Sequence, residues 1–178
     1  MACMRTAKRA PDFERGCTRG SLLEIEIWMT SRIDAISPLV DRLMRLIEGT
    51  HCVAGEEPAV QLALREALNN AVVHGNGMNA RKLVRVRCRC ELGKGVSLTV
   101  SDQGKGFDPD AVPNPLRVEN LEAAHGRGIH FIKSVMDEVT FERGGTEVHM
   151  RKSPAHAQRT GLKSNNKTAC RRPGEQHC

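Results

Sequence analysis

An α+β fold, built as a two-layer sandwich with helices covering one face of a mixed, mostly antiparallel sheet, is what three features of this 178-residue sequence predict. Alternating apolar and polar residues mark several short strands. Two pairs of these strands are joined by glycine turns and so must run antiparallel, and the helical segments between them each carry a single apolar stripe.

The first strand is signalled by Leu23, Ile25 and Ile27 alternating with Glu24, Glu26 and Trp28. Residues 38–48 then place Leu39, Leu43, Leu46 and Ile47 at helical spacing, with Ser37 as a candidate cap, Pro38 in the first turn and Gly49 at the end. A longer helix runs from about Glu57 to His74, opened by Pro58 and closed by Gly75. Next, Val84, Val86, Cys88 and Cys90 alternate with Arg85, Arg87, Arg89 and Glu91, and a Gly93-Lys94-Gly95 turn leads into a strand over Val96 to Val100. Periodicity disappears from Gly104 to Gly128, a stretch holding Pro109, Pro113 and Pro115, and so long a loop in a compact domain suggests a functional lid. A helix over about Ile129 to Met136 and a hairpin of Val139–Glu142 and Thr146–Met150 about Gly144-Gly145 complete the pattern.

One ordered domain over residues 21–152 is therefore expected, between flexible basic tails at 1–20 and 153–178. The formal charge of +6 resides in those tails: +3 on residues 1–20 and +4 on 153–178, against −1 for the domain. Tails of this composition are usually solvated and disordered. With four Phe, one Trp and no Tyr the chain has few platforms for stacking bases, so sequence-specific nucleic-acid recognition is not expected. No apolar run approaches the roughly 18 residues of a membrane span, and no signal peptide is evident, which points to the cytoplasm and reduced thiols. Seven cysteines is an odd count. Cys88 and Cys90 should share one strand face as a packed pair, and Cys170, His177 and Cys178 imply no preformed metal geometry.

Polar residues in apolar company carry the chemistry. Glu66 and Asn70 lie one helical turn apart, where a carboxylate and a carboxamide facing a cleft suit a hydroxyl and an oxygen-loving magnesium ion; a solvated polar stripe is the alternative for this helix alone. Asp102 ends a strand ahead of Gly104 and Gly106, glycines that let backbone approach a ligand, with a carboxylate able to accept from an exocyclic amine. Gly126 and Gly128 open a helix whose free N–H groups suit phosphate, with Lys105 and Arg127 as nearby charge.

Taken together and in this order, these pieces resemble the ATPase superfamily of gyrase, the histidine kinases and the MutL repair proteins, with its Bergerat-type ATP-binding fold. Glu66-x-x-x-Asn70-Ala71-x-x-His74-Gly75 resembles its asparagine box, Asp102-x-Gly104-x-Gly106-Phe107 its first glycine box, Gly126-Arg127-Gly128-Ile129 its second, and Gly145-Thr146-x-Val148 its final adenine-site strand. Within the superfamily, NAVVHG and GRGIHFIKSVMDEV are most similar to the bacterial anti-sigma-factor serine/threonine kinases, over about residues 21–151. The resemblance implies ATP and Mg2+ as cofactors, with Asn70 as metal ligand and Glu66 as the catalytic group that positions or deprotonates the attacking hydroxyl. It further implies Asp102 as acceptor of the adenine amine, Thr146 as its support, Gly104, Gly106 and Phe107 around the base, and Gly126, Arg127, Gly128 and Ile129 over the phosphates. A sigma factor and an anti-sigma-factor antagonist are the implied partners, and a homodimer the implied assembly. The family's sporulation and stress kinases often carry a basic residue where this chain has Ala124, with Arg117, His125 or Arg127 as possible substitutes. That departure favours one alternative, an ATP-gated binding module with little phosphoryl transfer; a stand-alone histidine kinase-like catalytic domain, which would have to act on a separate protein, is a third reading.

Overall fold

The computed structural model describes residues 13–19, 22–108 and 127–155. In chain order it contains β1 (Phe13–Arg19), β2 (Leu22–Thr30), α1 (Ile36–Thr50), α2 (Glu57–Asn69), β3 (Leu83–Glu91), β4 (Gly95–Ser101), α3 (Arg127–Val135), β5 (Glu138–Glu142) and β6 (Glu147–Lys152). The strands form one sheet in the order β1-β2-β3-β4-β6-β5. Every described pair is antiparallel, which narrows the expected mixed, mostly antiparallel sheet.

Period-2 alternation decides which side of the sheet is covered. Register sets Ile27 opposite Val86, Ile25 opposite Cys88, Val86 opposite Val100, Cys88 opposite Leu98 and Leu98 opposite Met150, so apolar side chains form continuous rows across four strands. These rows are buried under Val40, Leu43 and Ile47 of α1, Val60, Leu64 and Leu68 of α2 and Ile132 of α3. Each such side chain contributes about 1.5–3 kcal/mol by leaving water. Cys88 and Cys90 are packed in this layer as a buried pair, joined by Cys52 from the segment after α1. Neighbouring thiols and burial raise the Cys52 thiol strongly, and Cys90 is pushed up to about 12, so both stay protonated at neutral pH. Among the described residues no helix is long and apolar enough to cross a membrane.

Several local expectations are corrected. The sheet begins earlier than residue 21, because β1 pairs along its whole length with β2 through backbone hydrogen bonds, which FERGCTR does not announce by alternation. Ser37 does not cap α1; the helix starts at Ile36, and the Ser37 hydroxyl accepts from Arg65 Nη1 at 2.8 Å. Nor does Gly49 end it, since the left-handed C-cap falls on His51 (φ 53°), after the Thr50 hydroxyl donates to the Ile47 carbonyl. The second helix changes character at Asn70, where a π-turn over Asn70–Gly75 replaces α geometry. The Asn76 N–H reaches back five residues to the Ala71 carbonyl at 2.8 Å. Residues 109–126 of the proposed lid and the tail from residue 156 onward, and with them Arg117, Ala124, His125 and Gly126, lie outside the described residues.

Candidate functional site

Apolar packing leaves the end of α2 as the place where polar groups gather. Val60, Leu64, Ala67 and Leu68 face the sheet, which turns Glu66 and Asn70 to the half-buried flank of the helix. The π-turn that begins at Asn70 spends an extra residue on one turn, an arrangement frequent at functional sites. It delivers Gly75 to the neighbourhood of β4.

The first turn of α3 closes on Glu66 and Asn70. A Cβ built on Gly128 would lie 3.0 Å from Glu66 Oε2, 3.2 Å from Asn70 Nδ2 and 3.3 Å from Asn70 Oδ1. Thus the opening of this helix, where N–H groups lack intrahelical partners, stands directly beside the carboxylate and the carboxamide. Ile129 follows on the same turn, half-buried. At the other end α3 is tied down through the turn after it: the Asp137 N–H donates to the Arg151 carbonyl, and the Asp137 carboxylate accepts from Lys152 Nζ at 3.1 Å and the Ser153 N–H at 2.7 Å. Lys152 is itself buried and also pairs with Glu56 at 3.3 Å. Burial opposes ionisation of Asp137, but Ser153 and Lys152 outweigh it and hold the carboxyl below its usual range. The MDEV segment is therefore an anchor for the helix whose far end forms the site.

The second cluster centres on Asp102. Its N–H donates to the Thr146 carbonyl at 2.9 Å, and its Oδ1 accepts from the Gly104 N–H at 2.7 Å. Its carboxylate presses on Gly75, where a Cβ would sit 2.5 Å from Oδ2 and 2.6 Å from Oδ1. Burial raises the Asp102 carboxyl above its ordinary value, against the opposing influence of the Gly104 N–H and Lys82. A half-buried carboxylate with one oxygen engaged leaves acceptor capacity for a ligand donor.

Gly106 and Phe107 hold the turn that leads to Thr146. Gly106 (φ 74°) approaches the Gly144 carbonyl too closely for any side chain, and the Phe107 N–H donates to that carbonyl at 2.9 Å. The Phe107 ring meets Phe141 edge-on, with centroids 5.5 Å apart, so this residue supports the turn from the β5 side. The Thr146 hydroxyl donates to the Arg143 carbonyl at 3.0 Å, and its Cγ2 faces Gly106.

Of the residues expected at the site, Glu66, Asn70 and Gly128 thus come together in one group. Asp102, Gly104, Gly106 and Thr146 form a second, joined to the first by the π-turn. Gly126 is outside the described residues, and Arg127 opens α3. The donor set fits ATP and magnesium: a hard amide oxygen beside a helix opening, a half-buried carboxylate for an amine, and glycines where a side chain would fill the space between them.

Two features have no counterpart among the residues that the sequence singles out. Asn76, buried directly after the π-turn, accepts from the Gln103 N–H at 2.8 Å and donates to the Leu83 carbonyl at 3.1 Å. On the open sheet face, Glu147 is buried beside Arg85 (3.1 Å), Arg87 (3.3 Å) and the Ser101 hydroxyl. Burial opposes its ionisation, but Ser101, Arg143, Arg87 and Arg85 prevail, and its carboxyl lies below the usual range. Glu142 and His149 stand within reach of it, yet the two guanidiniums already compensate Glu147, so this cluster is an ion-pair hub. A polar residue following a glycine, and a Glu in a strand, are too common for sequence alone to have singled them out.

Residues 29–152 match the family model described as the histidine kinase-like ATPase domain. The chain is also similar to the anti-sigma F factor of Bacillus cereus, 33% identical over 98 residues that cover 52% of this chain and 66% of the relative. Against the anti-sigma F factor of Clostridium novyi it is 30% identical over 99 residues, covering 52% and 68% respectively. The aligned part therefore spans about two thirds of the length of these relatives.

Proposed function

Because the chain belongs to the histidine kinase-like ATPase domain family, we propose that it is an ATP- and Mg2+-dependent protein serine/threonine kinase that phosphorylates an anti-sigma-factor antagonist and sequesters a sigma factor. The observation that supports the nucleotide part is the approach of Gly128 to Glu66 and Asn70, which brings a helix opening, a carboxamide and a carboxylate side by side. The partner part rests on likeness to proteins named anti-sigma F factors.

In this account the Asp102 carboxylate accepts from the adenine amine, with Thr146 beside it and Gly104 and Gly106 keeping the backbone close to the base. The α3 opening at Gly128 donates N–H groups to phosphate oxygens. Asn70 would hold the magnesium ion, which when bound would neutralise phosphate charge. Glu66 orients the acceptor hydroxyl of the antagonist and takes its proton as the oxygen bonds to the γ-phosphorus and the bond to the β-phosphate oxygen breaks, releasing ADP. Phosphorylation of the antagonist would free this protein to hold the sigma factor. A homodimer is part of the same proposal.

Transfer of label from γ-labelled ATP to a purified antagonist is the test. Label on serine or threonine with the wild type, reduced at least ~100-fold in Glu66→Gln, is expected for a positioned general base. Tight ATP binding with no transfer to any antagonist would overturn the kinase and leave an ATP-gated binding module.

A further inference from the structure

We infer that Asn76 is the positioning residue for the base-recognising carboxylate: it sets Asp102 in place, and so governs discrimination for the 6-amino group of adenine. The inference rests on the nucleotide reading above and assigns a role inside that site to a buried residue outside the set expected to touch the nucleotide.

The geometry is a closed ring of three hydrogen bonds. Asn76 Oδ1 accepts from the Gln103 N–H at 2.8 Å, Asn76 Nδ2 donates to the Leu83 carbonyl at 3.1 Å, and the Leu83 N–H donates to Gln103 Oε1 at 2.8 Å. Asn76 is 3% exposed, so its carboxamide makes its two bonds from a buried position, where an unpaired amide is costly, while the Leu83–Gln103 bond that closes the ring is exposed. The ring joins three segments: the end of the π-turn, the start of β3 and the residue directly after Asp102. Asn76 is fixed in turn by its own N–H on the Ala71 carbonyl.

Asp102 is thereby held from both sides in sequence. Before it, Ser101 is paired with Glu147 across β4 and β6; after it, Gln103 is gripped through its backbone by Asn76. The residue preceding Asn76 is Gly75, the surface against which the carboxylate presses. One carboxamide therefore fixes the spacing between the floor under Asp102 and the backbone that carries Asp102. Releasing Gln103 lets the carboxylate rotate or withdraw, and an amine donor loses an acceptor placed for it, while the phosphate end at Asn70 and Gly128 is untouched.

The test compares ATP with purine riboside 5′-triphosphate, which lacks the 6-amine, by calorimetric titration of wild type and Asn76→Ala, with thermal melts in parallel. The wild type is expected to prefer ATP by at least ~10-fold, the worth of a hydrogen bond to a charged acceptor. Asn76→Ala should lose most of that preference while binding the purine analogue within about 3-fold of wild type, a split that loss of stability alone does not produce. Should Asn76→Ala fail to fold, Gln103→Ala opens the same ring from an exposed position and should lower the preference by a smaller factor. Undiminished preference for ATP in the folded variant overturns the inference. A wild type that binds neither nucleotide overturns the nucleotide reading, and the inference with it; a wild type that binds both equally removes Asp102 as an amine acceptor.

Discussion

Gly75→Ala puts a methyl group where the Asp102 carboxylate now rests. The new Cβ would stand 2.5 Å from Oδ2, short of the 3.4 Å of ordinary contact by about 0.9 Å, so the carboxylate must withdraw by nearly that distance. Gly75 is not in the left-handed region, and alanine gains up to about 1 kcal/mol over glycine in a helical turn. Overpacking costs about 1–3 kcal/mol, so the net effect on stability is a loss of about 0–3 kcal/mol and a melting point lower by several degrees at most. The effect on ATP is larger. A displaced acceptor forfeits a charged hydrogen bond of about 1.5–3 kcal/mol, which at 1.4 kcal/mol per tenfold weakens ATP roughly 10- to 150-fold. Calorimetric titration with ATP, on protein shown by melting to be folded, measures this directly. Wild-type affinity in Gly75→Ala would refute the reasoning, because it would mean that the base does not depend on where this carboxylate stands.

Three further outcomes are expected. The Asp102 carboxyl is raised above its unfolded value by burial, so ligand-free stability falls as pH rises through its folded pKa; Asp102→Asn should stabilise the ligand-free protein at neutral pH, with the gain disappearing on acidification in melts across pH 3–8. Glu147 has the opposite sign: its depressed carboxyl contributes stability above the unfolded carboxylate pKa that is lost as pH falls through the folded one. Glu147→Gln should therefore destabilise at neutral pH and converge with wild type in acid. Gly49 lies inside α1, and a Cβ added there would meet no atom within 4 Å, so alanine should be accepted with a gain of about 0.5–1 kcal/mol by denaturant unfolding and unchanged ATP affinity.

Much of this architecture was legible because burial writes a period into the chain. Leu23, Ile25 and Ile27, and Val84, Val86, Cys88 and Cys90, alternate with polar residues because their neighbours face the open side of the sheet, and all seven are buried in one layer. The site residues were legible for the converse reason: Glu66, Asn70 and Asp102 interrupt apolar patterns without an evident local partner. β1 escaped because an edge strand can be held by backbone pairing alone, which leaves no side-chain period to read. The π-turn at Asn70–Gly75 escaped because one added residue per turn alters which groups face the cleft without altering composition. Asn76 escaped because its importance lies in bonds to Leu83, across a turn, and to Gln103, distant in sequence, neither of which leaves a pattern to read.

The most direct test of the central claim is ATP binding by calorimetry, with and without magnesium, to the wild type and Asn70→Ala. The account predicts binding by the wild type that magnesium strengthens by at least ~10-fold, and loss of that magnesium dependence in Asn70→Ala while the protein remains folded. Absence of ATP binding by the wild type, or equal magnesium dependence in both proteins, would contradict it.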